Sequence, residues 1–147
     1  MRYFEDFHVG DVYELGSRGV TREEILDFAR QYDPQYFHID EERAKESIYG
    51  GLIASGWHTA AMTMRLACEG IVLDSASMGS PGIDELRWVR PVRPGDTLTA
   101  RMEILAARAS ESKPDRGIVN SHVIVTNQAG DTVLTWKAMG MYRRRPG

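Results

Sequence analysis

Three features of the sequence predict an α+β domain in which helices precede an antiparallel sheet. A capped amphipathic helix is written between Thr21 and Tyr32, a long and largely apolar helical stretch begins at Ser55, and from Ile83 onward the hydrophobic repeat changes from helical spacing to alternation. Helices followed by consecutive strands on short links are the signature of helix packed on antiparallel sheet.

The first helix opens at Thr21-Arg-Glu-Glu24, a capping box in which the threonine hydroxyl accepts from the first-turn amides and Glu24 reaches back to the cap. Ile25, Phe28, Ala29 and Tyr32 form its apolar stripe, and Pro34 pushes Asp33 out of helical geometry, so the helix should stop at about Tyr32. Asp40 caps a second, short helix over "EERAKES". A third runs from about Ser55 to Ile71, with only Arg65 and Glu69 charged, and is expected to be the buried one. After the loop "DSASMGSPG", strands are expected from Ile83, over 97–105, from Gly117 and from Asp131. Leu98, Ala100, Met102 and Ile104 alternate with polar neighbours, and the short links predict an antiparallel meander. With 147 residues and no linker or repeat, one domain over 1–147 is expected.

Composition removes several classes of function. A formal charge of −3 in mixed order offers no basic face to nucleic acid or an anionic membrane. The single Cys68 allows neither an internal disulfide nor a thiol-based zinc site. The start "MRYFEDFHVGD" lacks the apolar run of a signal peptide, and no stretch is long and apolar enough to span a bilayer, so a cytoplasmic location is expected.

The chemistry-bearing stretch is "YDPQYFHID", which places Asp33 and His38 in the connection after the first helix. A carboxylate and an imidazole brought to one spot can hold a water between them and move its proton near neutral pH. The plainer reading, a turn-forming aspartate and a backbone-satisfied histidine, stands beside it, because the spacing alone has little specificity. In "ASGWH", Gly56 opens the apolar helix, where first-turn amides lack intrahelical acceptors and can donate to an oxyanion. Close packing is the alternative role for that glycine. Ser55 fits a cap better than a nucleophile, since no G-x-S-x-G context surrounds it, and His58 reads as structural. Arg87, Arg90 and Arg93 can meet phosphates of a nucleotide-bearing substrate or simply be solvated.

Taken in order, "FARQYDPQYFHIDEERAKES", "GGLIASGWHTAAM" and "ELRWVRPVRPGDTL" resemble the MaoC-like acyl dehydratases, also called (R)-specific enoyl-CoA hydratases, of the hot-dog superfamily. The family pattern of Asp, Asn two residues on and His three further falls on Asp33, Gln35 and His38, with Gln in place of the commoner Asn. The family's oxyanion glycine falls on Gly56, and Ser55 stands where histidine is often found.

The resemblance implies a hot-dog fold, a long central helix wrapped by a bent antiparallel sheet, pairing as a homodimer or higher homo-oligomer. It implies reversible hydration of a trans-2-enoyl thioester with Asp33, His38 and Gly56 as the catalytic groups and Gln35, Ser55 and Trp57 at the substrate. Coenzyme A would enter as part of the substrate, with no metal or redox cofactor required. A thioesterase and a non-catalytic acyl-thioester-binding subunit on the same fold are the alternatives.

Overall fold

The computed structural model describes residues 1–147. Five strands, β1 (Val12–Gly19), β2 (Gly82–Trp88), β3 (Thr97–Ala109), β4 (Arg116–Thr126) and β5 (Thr132–Arg143), form one antiparallel sheet in the order β1-β3-β4-β5-β2. Four helices, α1 (Arg22–Tyr32), α2 (Tyr36–Ile39), α3 (Glu41–Ala44) and α4 (Gly56–Gly70), lie between β1 and β2 in the chain. The α+β expectation of one long helix against an antiparallel sheet is met.

The sheet departs from a simple meander. The strands β3, β4 and β5 follow one another as expected, but β2 pairs with β5 and not with its chain neighbour β3. The place beside β3 is held by β1, and Val20 N–H donates to Asp96 O at 2.8 Å while Gly95 N–H returns a bond to Val20 O at 2.8 Å. The 89–96 link, with Pro91 and Pro94, must therefore cross from the β2 border, past β5 and β4, to reach β3. Strand β1 itself was not anticipated. Gly16, at φ +99°, breaks its register against β3, and such a bulge interrupts the alternation by which a strand is read.

Inward residues of the sheet, Leu98, Ala100 and Ile104 of β3 with Val119, Val123 and Val125 of β4, close over Met62, Leu66 and Ala67 of α4. Gly70 ends α4 so close to β1 that a Cβ there would lie 2.8 Å from Leu15 Cα. The helix is buried on that face only, contrary to a fully enclosed helix. Its opposite face leaves Trp57 59% and Met64 44% exposed. The stripe of α1 is likewise shifted: Ile25, Leu26 and Ala29 are buried, whereas Tyr32 is exposed. No helix is long and apolar enough to cross a membrane.

Candidate active site

The capping box at Thr21 and Glu24 forms as expected, and α1 runs to Tyr32 before Pro34 stops it. Asp33 leaves the helix at φ −153°, ψ 70°, with its amide still bonded to Ala29 O at 2.8 Å. The one-turn α2 follows at once, and it carries His38 back over the end of α1. A helix this short leaves no periodic trace, so His38 was expected in an irregular connection.

His38 Nε2 lies 3.3 Å from Asp33 Oδ2. That is direct contact, closer than the gap that an intervening water would need, so a water must sit beside the pair and not between its members. His38 Nδ1 is 2.8 Å from Ile53 O. A carbonyl only accepts, so Nδ1 carries the hydrogen and Nε2 is the atom left to exchange a proton. The imidazole is 4% exposed and is flanked by the Phe37 ring at 4.5 Å.

Asp33 accepts from Ser55 Oγ at 2.7 Å on Oδ2 and from Gln35 Nε2 at 2.7 Å on Oδ1. Burial works to raise its pKa, but these two hydrogen bonds and the nearby His38 charge outweigh burial and hold the carboxyl below its ordinary range. Both of its oxygens act as hydrogen-bond acceptors.

Ser55 is fully buried; its hydroxyl accepts from Trp57 N–H at 3.2 Å while donating to Asp33. It thus caps α4 as expected, but it stands behind the cavity wall and not on it. The next amide, that of Gly56, donates to no acceptor in the chain. A Cβ on Gly56 would fall 2.5 Å from Trp88 Cδ2, so the indole occupies the space a side chain would need. Gly56 thus combines an amide without an acceptor and close packing against the indole.

Asp33, Gln35, His38, Gly56, Trp57 and Trp88 share the lining of one cavity of about 520 Å³. Trp57 and Trp88 meet edge to face with centroids 5.0 Å apart. Local sequence pattern does not foretell the contact of Trp88 with Gly56, because it depends on β2 taking the border place beside β5. His58 lies outside this cavity, 6% exposed and stacked on Phe28 at 4.8 Å. Desolvation lowers its pKa, with Glu24 acting against and Arg18 with that shift. No cluster of three His, Cys, Asp or Glu side chains is placed to hold a metal ion.

The MaoC like domain family model matches residues 6–127. The chain belongs to the MaoC-like dehydratase family. It is 35% identical over 102 residues to the uncharacterized protein YdeM of Bacillus subtilis (strain 168), covering 69% of this chain and 72% of that one. Among solved structures it superposes on a MaoC-like dehydratase from Rhodospirillum rubrum with TM-score 0.92 at 43% identity, over 100% of both chains. An (R)-hydratase from A. caviae involved in PHA biosynthesis matches with TM-score 0.71 at 25% identity over 97% of this chain and 99% of that one. Rv0216 from Mycobacterium tuberculosis, described as a double hot-dog fold, matches at TM-score 0.85 and 18% identity over 98% of this chain and 44% of that one. The fold of this family member is accordingly the hot-dog fold.

Proposed function

We propose that this family member is a hydro-lyase that reversibly adds water to a trans-2-enoyl thioester, with coenzyme A as the carrier. The observation that carries the reading is a single cavity wall bearing a contacting Asp33–His38 pair and, on the next element, the free amide of Gly56. The likeness to an (R)-hydratase supports the reaction class.

In this reading the thioester carbonyl oxygen accepts from Gly56 N–H, which stabilises the charge that gathers there as the β-carbon is attacked. Water sits against Asp33 and His38. Ile53 O holds the hydrogen on Nδ1 and the Asp33 oxygens already accept from Ser55 and Gln35, so His38 Nε2 takes the proton as the water oxygen bonds to the β-carbon, and Asp33 stabilises the imidazolium. The same Nε2–H then delivers a proton to the α-carbon. Water is thereby split between the two carbons, and the pair returns to its starting state. Gln35 and Ser55 hold the carboxylate in place, and Trp57 flanks the substrate.

Only one border of β2 is paired, and the strand exposes Ile83 and Trp88. We infer that a second copy pairs there, since an open apolar edge invites strand addition. The test of the reaction is the loss of enoyl-thioester absorbance on adding the protein to crotonyl-CoA, with a thiol indicator in parallel. Loss of absorbance with no thiol released is expected. Thiol release from saturated acyl-CoA would indicate a thioesterase, and binding without either change a non-catalytic subunit.

A further inference from the structure

The segment "LRWVRPVRP", whose residues 88–92 line the cavity, carries three arginines whose surroundings differ. Arg87 has Glu85 3.9 Å away. Arg93 donates from Nη2 to Tyr49 O at 2.7 Å, tying down the loop that forms one wall. Arg90 has no ion pair and no side-chain hydrogen bond within the chain, and it is the one permanent cation in the cavity lining.

Its position follows from two anchors. Trp88 lies against Gly56, and Val92 O accepts from Ala54 N–H at 2.8 Å, so the segment between them brackets the start of α4 with Arg90 at its middle. The backbone at Val89 is pinned to Val133 O at 2.9 Å, which fixes where the arginine emerges. Arg90 is exposed whereas His38 is 4% exposed, so among the lining residues the arginine belongs to the solvent end of the cavity and the histidine to its inner end. A thioester with its carbonyl at Gly56 sends its carrier arm toward solvent. An unpaired guanidinium fork there suits a phosphate.

We propose that Arg90 is the anion receptor for a phosphate of the substrate's carrier arm, and so selects phosphate-bearing thioesters over neutral ones. The proposal rests on the thioester reading of the site. Its test is equilibrium binding, which does not depend on turnover. Butyryl-CoA, saturated and therefore not hydratable, is titrated against wild type and Arg90→Gln by calorimetry, beside butyryl-pantetheine and succinyl-pantetheine, which carry no phosphate.

Loss of one charge-assisted hydrogen-bonded contact should weaken butyryl-CoA binding about 10- to 100-fold in Arg90→Gln. Butyryl-pantetheine should bind both proteins equally, and raising the salt concentration should narrow the difference for the CoA ester. Equal CoA-ester affinity in both proteins overturns the proposal, as does an equal loss for butyryl-pantetheine. A loss confined to succinyl-pantetheine also overturns it and reassigns Arg90 to a carboxylate on the acyl group. Wild-type binding of butyryl-CoA without hydration of crotonyl-CoA removes the hydro-lyase reading and leaves the Arg90 result to stand by itself.

Discussion

Ser55 Oγ donates to Asp33 Oδ2 at 2.7 Å and in the same position accepts the amide of Trp57, so one hydroxyl joins the end of α1 to the beginning of α4. Ser55→Ala should remove both bonds. Losing the cap costs about 1 kcal/mol of stability. Losing a donor lets the Asp33 carboxyl rise toward its ordinary range. The sign is fixed by the lowered native value: the stabilisation from ionised Asp33 is present above the unfolded carboxyl's pKa and disappears as pH falls through the native one. In Ser55→Ala the loss of stability on acidification, followed by urea midpoints, should therefore be complete at higher pH, a shift that a lost cap alone would not produce.

Asp33→Asn and His38→Ala should each lower the turnover of crotonyl-CoA by roughly two to four orders of magnitude while leaving the circular dichroism spectrum unchanged. Near-normal turnover in either folded variant would take that residue out of the mechanism.

Gly56→Ala forces a methyl group to within 2.5 Å of the Trp88 ring. Displacing a packed ring should cost about 1–3 kcal/mol and change tryptophan fluorescence. Turnover should fall further than the stability loss explains, because the amide that faces the carbonyl moves with the ring. An unaltered fluorescence spectrum would show that the indole does not rest on this glycine.

His58 is buried against Phe28 and its pKa is lowered by desolvation. The unfolded chain therefore binds a proton at this site more readily than the native protein. Stability should be undiminished above about pH 6.5, the ordinary imidazole value, and should decline below it until the native pKa is passed. Urea midpoints measured from pH 7.5 down to 5.0 check this, and His58→Gln should flatten the dependence. Glu24 and Arg18, which act on His58 in opposite directions, stay in place in that comparison.

A second copy on the free border of β2 should make the protein sediment as a dimer or a multiple of it. Ile83→Lys, which puts a charge on an exposed apolar position of that border, should shift the distribution toward monomer.

What the residues disclosed in advance was local. The Thr21 cap, the stop at Pro34, the Ser55 cap and the alternation in β3 all depend on neighbours within a few positions, and each is present. The conjunction of Asp33, Gln35 and His38 was legible through three motifs in order, not through spacing alone. Hidden features depended on distant parts of the chain: the border position of β2, the indole on Gly56 and the donation from Ser55 to Asp33, 22 residues away. The single turn of α2 was too short, and β1 too disturbed by Gly16, for either period to be visible.

The two earliest strands of the polypeptide, β1 and β2, end up on opposite margins, with the last three strands as the middle. The interior can zip from its C-terminal hairpins through near-neighbour contacts, whereas each margin requires closure of a long loop, and such closures are slow. Because Trp88 arrives with one margin and Asp33 is threaded between both, the reactive geometry should mature last during refolding, after most of the backbone ladder has already acquired protection from exchange.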